Sequence, residues 1–227
     1  LLCAMLLLLP SCAATEVVQT GPPADRVELS PGLWIDRDAG QLGFRAWVCL
    51  DAGWLEQVVC APGTREHESL MVTDVPASGI HAGLLLLGLE PGSPGRWRDE
   101  GDVVVAIPPE GPQVDVTVRW EGEEGETHAV GVSRWIVDVA DRQPYPTDRW
   151  IFAGSIELGD EAAEQAGVRY LADRSGSIVG LVTFGDEVLA AMDVIPDAAD
   201  VHPPEWIAAS GSMPPVGTVV TVQLKVA

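Results

Sequence analysis

Within residues 54–92, five side chains carry types that can do chemistry: Glu56, Cys60, His67, Glu68 and His81. A thiolate, imidazoles and carboxylates are the donors that zinc and other transition metals take from proteins. Six residues separate Cys60 from His67 and thirteen separate His67 from His81, which is no standard metal-ligand spacing. His67-Glu68 is not a zincin motif either, because Met71 stands where the second histidine would be needed. A transition-metal site on Cys60, His67 and His81, with Glu56 or Glu68 nearby, therefore depends on whether the fold brings them together. A nucleophilic Cys60 assisted by His67 or His81 depends on the same convergence, to within about 3 Å. The alternative gives each residue a structural task, with His67 and Glu68 bonding loop backbone and His81 packed between helix and sheet.

Elsewhere the signals are sparser. Ser155 follows Phe152-Ala153-Gly154 and is not in a Gly-x-Ser-x-Gly elbow, so it reads as a turn residue bonded to backbone. Asp173, before Ser175-Gly176, reads as part of a hairpin turn. Eight tryptophans, at 34, 47, 54, 97, 120, 135, 150 and 206, outnumber tyrosine and phenylalanine together. Most are expected in the core, while two or more exposed together would make a platform for sugars or peptides.

The elements that must hold these residues are mostly strands. Leu42 to Leu50 reads as a strand, Asp51-Ala52-Gly53 as a turn, and Trp54 to Ala61 as its antiparallel return. In that register Cys49 faces Leu55 and Cys60 faces Phe44. The two cysteines then lie about 17 Å apart on opposite faces, which argues against a disulfide. Glu68 to Thr73 is a further strand. Pro76 to Gly88 is the principal helix, opened by proline and closed by glycine. Its Ile80, Leu84 and Leu87 share a face that Leu85 and Leu86 widen, so the helix should be buried against the sheet. Val114, Val116, Val118 and Trp120 alternate along another strand, and residues 121–126 form its acidic, solvated tip. Further strands are expected at 129–138, 150–153, 178–183 and 216–226, a short helix at 186–192, and an ordered Pro-rich loop at 196–215. Strands without regular βαβ alternation predict an α+β fold, mostly antiparallel sheet with one principal buried helix.

Leu1 to Leu9, LLCAMLLLL, is too short to span a bilayer and reads as the apolar part of an export signal. Leu9-Pro10-Ser11-Cys12 resembles a bacterial lipobox, which makes Cys12 the expected lipidation site and the membrane a partner through that lipid. Ordinary cleavage after Ser11-Cys12-Ala13 is the competing reading and gives a free periplasmic or secreted protein. Residues 1–12 are thus a signal, 13–25 a flexible tether, and 26–227 a single domain. The net charge of −21 excludes nucleic acid as a partner, because phosphate backbones are bound largely by Lys and Arg.

Trp54-Leu55-Glu56, Cys60-Ala61-Pro62-Gly63-Thr64, His67-Glu68-Ser69-Leu70 and Ile80-His81-Ala82-Gly83-Leu84-Leu85-Leu86-Leu87-Gly88 resemble the signature of the YdjY-type domain family of bacterial, often exported proteins. Trp150 to Ser155, Tyr170 to Asp173 and Gly217 to Val220 fit in order, so the resemblance covers about residues 28–227. It implies one domain and no established activity. Some members carry ferredoxin-like labels, yet an Fe–S cluster needs four closely spaced cysteines. Cys3 and Cys12 belong to the leader, leaving Cys49 and Cys60, so no such cluster is expected. The leading expectation is an exported, lipid-anchored, non-catalytic binding or assembly module for a protein or small-molecule partner. The alternatives are a metal- or thiol-dependent enzyme using Cys60, His67 and His81, and a carbohydrate-binding module.

Overall fold

The computed structural model describes residues 16–17, 26–101, 103–197 and 202–227. Cys12 and the rest of the leader lie outside the described residues, as does the tether apart from Glu16 and Val17. The chain begins with β1 (Glu16–Val17), β2 (Arg26–Ser30), β3 (Leu33–Asp36), β4 (Gln41–Val48), β5 (Gln57–Cys60), β6 (Ser69–Val72) and helix α1 (Ala77–Leu86). Next come β7 (Arg96–Asp99), β8 (Val104–Ile107), β9 (Gln113–Glu121), β10 (Thr127–Gly131), β11 (Ile136–Asp138) and β12 (Arg149–Phe152). Helices α2 (Asp160–Ala166) and α3 (Leu171–Ser175) precede β13 (Ser177–Gly180), β14 (Leu189–Ala190), β15 (Trp206–Ala208) and β16 (Val219–Val226).

The fold is α+β and mostly antiparallel; among the described pairs only β5–β6 and β13–β14 run parallel. Hydrogen bonding closes on itself along β9–β12–β14–β13–β5–β6–β4–β16 and back to β9. Closure leaves those strands without a free edge. β16 lies between β4 and β9, and its register stacks apolar rows across three strands. Phe44, Val222 and Val118 form one row, and Leu42, Leu224 and Val116 the next, all at 0% exposure. Each such side chain contributes roughly 1.5–3 kcal/mol on burial. The alternation read from the sequence is the cause, since residues two apart share a face.

Helix α1 starts after Pro76, and Gly88 follows its end at φ +85°. Asp173, expected in a hairpin turn, instead sits in α3 and accepts the Ser78 N–H at 2.9 Å, which satisfies a donor at the start of α1. The helix buries Ala77, Ile80, Gly83 and Leu84. A Cβ on Gly83 would come within 2.1 Å of Leu42 Cδ1, so glycine there is what permits the close approach of helix to sheet. Leu85 and Leu86 do not widen the buried face: they remain 45% and 47% exposed.

Two further expectations, about strand pairing, change. The return strand does not pair with β4; β6 lies between, antiparallel to β4 and parallel to β5. The β5–β6 link is therefore a short crossover, residues 61–68, rather than part of a hairpin. Residues 186–192 hold the two-residue strand β14 and no helix, because Leu189 and Ala190 pair with both β12 and β13. Both differences come from long-range pairing overriding local propensity.

Candidate functional site

Inserting β6 between β4 and β5 decides what the crossover brings together. Cys49 and Cys60 are not remote: their thiols are in contact, and Cys49 Sγ donates to Ser69 O at 3.1 Å. The antiparallel register that separated them never forms. Both are free thiols, Cys60 fully buried and Cys49 partly so. Cys60 is pushed down to about 7, first by the Cys49 thiol and then, against the opposing effect of burial, by Ser69, Thr64 and the Arg65 backbone. Cys49 is correspondingly pushed up. The Cys49 proton is committed to the Ser69 carbonyl, so Cys60 is the thiol that ionises first.

The histidines have other neighbours. His67 is 72% exposed in the crossover, with Nε2 3.6 Å from Glu68 Oε2. His81 lies on α1, its Nδ1 2.8 Å from Tyr170 Oη, while Tyr170 donates to Gly154 O at 3.0 Å. The Tyr170 proton is thus committed, so His81 Nδ1 carries hydrogen and donates to it. Burial pushes the His81 pKa down, which keeps the ring neutral. Ser155 joins this corner at φ +55°, accepting the Ala172 N–H at 3.2 Å. Among the described residues no group of three or more His, Cys, Asp or Glu side chains is arranged to hold a metal ion.

Glu56 and Glu68 do converge. Glu56 N–H donates to Glu68 O at 2.9 Å, which sets the start of β5 beside the end of the crossover. Their side chains line the same cleft. Burial, then the bond to and charge of Glu68, push the Glu56 pKa up to about 7, with Arg65 opposing. Glu56 therefore holds its proton to higher pH than an isolated carboxyl does.

Both line a cleft of about 120 Å³, together with Trp54, Asp197, His202, Glu205 and Trp206 among others. Its far wall, residues 195–197 and 202–206, is held at Trp206 by backbone: Leu55 N–H donates to Trp206 O at 2.9 Å, Ala208 N–H to Gly53 O at 3.0 Å, and Trp54 bridges Ile207. His202 Nε2 is 2.8 Å from Glu205 Oε1. Trp54 is 46% exposed, whereas Trp206 packs edge-on against Tyr145 at 4.9 Å. Glu68 also borders an open depression of about 450 Å³ lined by Thr64, Arg65, His67 and Ser175. There the Arg65 guanidinium sits 3.8 Å from the Phe184 ring centroid and 3.5 Å from Ser177 Oγ.

Sequence reasoning named Glu56, Glu68 and the tryptophans as a class, and missed His202, Glu205 and Asp197. The only trace was an ordered Pro-rich loop, with nothing to say which strand it would lie against. The family model of the YdjY domain matches residues 33–225. No curated protein and no solved structure matches the chain.

Proposed function

The chain belongs to the YdjY domain family, and from that premise we propose a non-catalytic binding module of the bacterial cell envelope, exported and anchored by lipid on Cys12. The cleft between Trp54 and Trp206 is its ligand site. One observation carries this reading: the cleft gathers a carboxylate pair, a second pair of polar side chains in His202 and Glu205, and two indoles around a small apolar space. Such a mixture of apolar wall and few convergent polar groups is what small-ligand sites have in common. The leader ahead of Pro10-Ser11-Cys12 supports export and anchoring.

Hydrogen exchange of the full chain, with and without a small-molecule extract of the bacterial envelope, tests the ligand site. Slower exchange at residues 54–57 and 205–208 is expected, and unchanged exchange there overturns it. Labelled fatty acid should enter the wild type and not Cys12→Ser; equal labelling overturns the anchor.

A further inference from the structure

We propose that the cleft takes a cationic group, a primary ammonium or guanidinium carried on an alkyl chain, with its charge against Glu56 and Glu68 and its chain along Trp54. The proposal rests on the reading of the cleft as a ligand site and adds the chemistry of the ligand.

Sign comes first. Among the described residues the lining includes Glu56, Glu68, Asp197 and Glu205 but no lysine or arginine, and its one histidine, His202, is held by Glu205 at 2.8 Å. An anionic ligand would meet carboxylates on both walls. The cation that acts on Glu56 from within the protein, Arg65, is engaged elsewhere, against Phe184 and Ser177. Glu56 is left beside another carboxyl in the cleft, that of Glu68.

Size comes next. A dry cavity of about 150 Å³ holds benzene, so a cleft of about 120 Å³ admits the tip of an alkylammonium or guanidinium and not a hexose ring. Aromatic side chains add to this choice, because an indole beside the path attracts a cation through its quadrupole and covers the methylenes behind it. A carboxylate pair and an indole together reward positive charge on a thin apolar stem.

The raised pKa of Glu56 supports the same ligand. A cation favours the doubly ionised carboxylates, so its binding below about pH 7 expels the proton on Glu56, and affinity rises as pH increases through that value.

Tryptophan fluorescence and calorimetry on the full chain test the proposal with four probes: cadaverine, trilysine, Nε-acetylated trilysine and a tetramer of N-acetylglucosamine. Saturable binding of cadaverine or trilysine is expected, weakened about tenfold or more by Glu56→Gln, by Glu68→Gln and by side-chain acetylation, and stronger at pH 8 than at pH 6. Trp54→Ala, at an exposed position, should weaken it too while leaving the circular dichroism unchanged. Cadaverine binding points to a free amine, and binding of trilysine alone to a basic peptide; both uphold the cation. Equal binding of acetylated trilysine overturns it, as does binding that survives both Gln variants, which would be adsorption to a chain of net charge −21. Trp54-dependent binding of the saccharide with none of the amines also overturns the cation but keeps the cleft. Binding of none of the four overturns the cation and leaves the cleft to the exchange experiment.

Discussion

The three-strand rows of β4, β16 and β9 and the crossover between β5 and β6 are built to opposite rules. In the two rows all six side chains are apolar and fully buried, and each strand is paired along both edges. Around the crossover, polar groups are buried at the limit of what they can satisfy. Of the six buried side-chain atoms without a hydrogen-bond partner among the described residues, Gln57 Oε1, Glu187 Oε2, Asp186 Oδ1 and Trp206 Nε1 lie on this side, while His128 Nδ1 and Trp135 Nε1 flank Trp120 near the end of β9; two carboxyls and two thiols here have displaced pKa values. A buried polar group without a partner costs on the order of 1–3 kcal/mol, so a marginally stable domain carries few of them. The rows provide the stability that lets the crossover be polar, and the difference marks the crossover as the place to look for function.

Substitutions can sharpen or break this contrast. The largest effect belongs to the rows: Phe44→Ala should lower unfolding free energy by about 3–5 kcal/mol in urea titration. A loss as small as that of a surface residue would remove the rows as the source of stability. Glu187→Ala should follow at roughly 1–3 kcal/mol, because the carboxylate accepts the Phe184 and Gly185 N–H groups from within the fold.

The Glu56→Gln substitution should act through pH. A carboxyl whose folded pKa is raised contributes stability that is present below the unfolded value of 4.5 and lost as pH rises through the folded value of about 7. Glu56→Gln should therefore match the wild type near pH 4 and melt higher at pH 8. A lower melting temperature at pH 8 would mean that the ionised pair is favourable and the crossover is not strained. The smallest effect is expected for His67→Ala, within about 0.5 kcal/mol at any pH, since that ring is 72% exposed. A larger loss would show that the loop depends on its contact with Glu68.

Much of the fold was legible because it is written in local patterns. Val114, Val116 and Val118 alternate as a half-buried strand must, and Pro76 and Gly88 punctuate α1 through constraints of their own backbones. Helix α2 and the pairing of β14 were not legible: the first has no buried residue to mark it, and the second is two residues long. The crossover was misread for a related reason. A turn at Asp51 to Gly53 makes a hairpin the cheapest local guess, and only the later strand β6 can compete for the edge of β4.

By itself, then, the sequence determined the class of the fold, the apolar alternation along β9, the limits of α1, and the acidic character of the chain. Composition and period suffice for these because each depends on neighbours a few residues away. Tertiary structure alone decided that Cys60 meets Cys49, that His81 meets Tyr170, and that Glu56 and Glu68 face Trp206 across a cleft. Those contacts join segments 11, 89 and about 140–150 residues apart, and their geometry is set by which strand wins each sheet edge, a competition settled by burial over the whole chain.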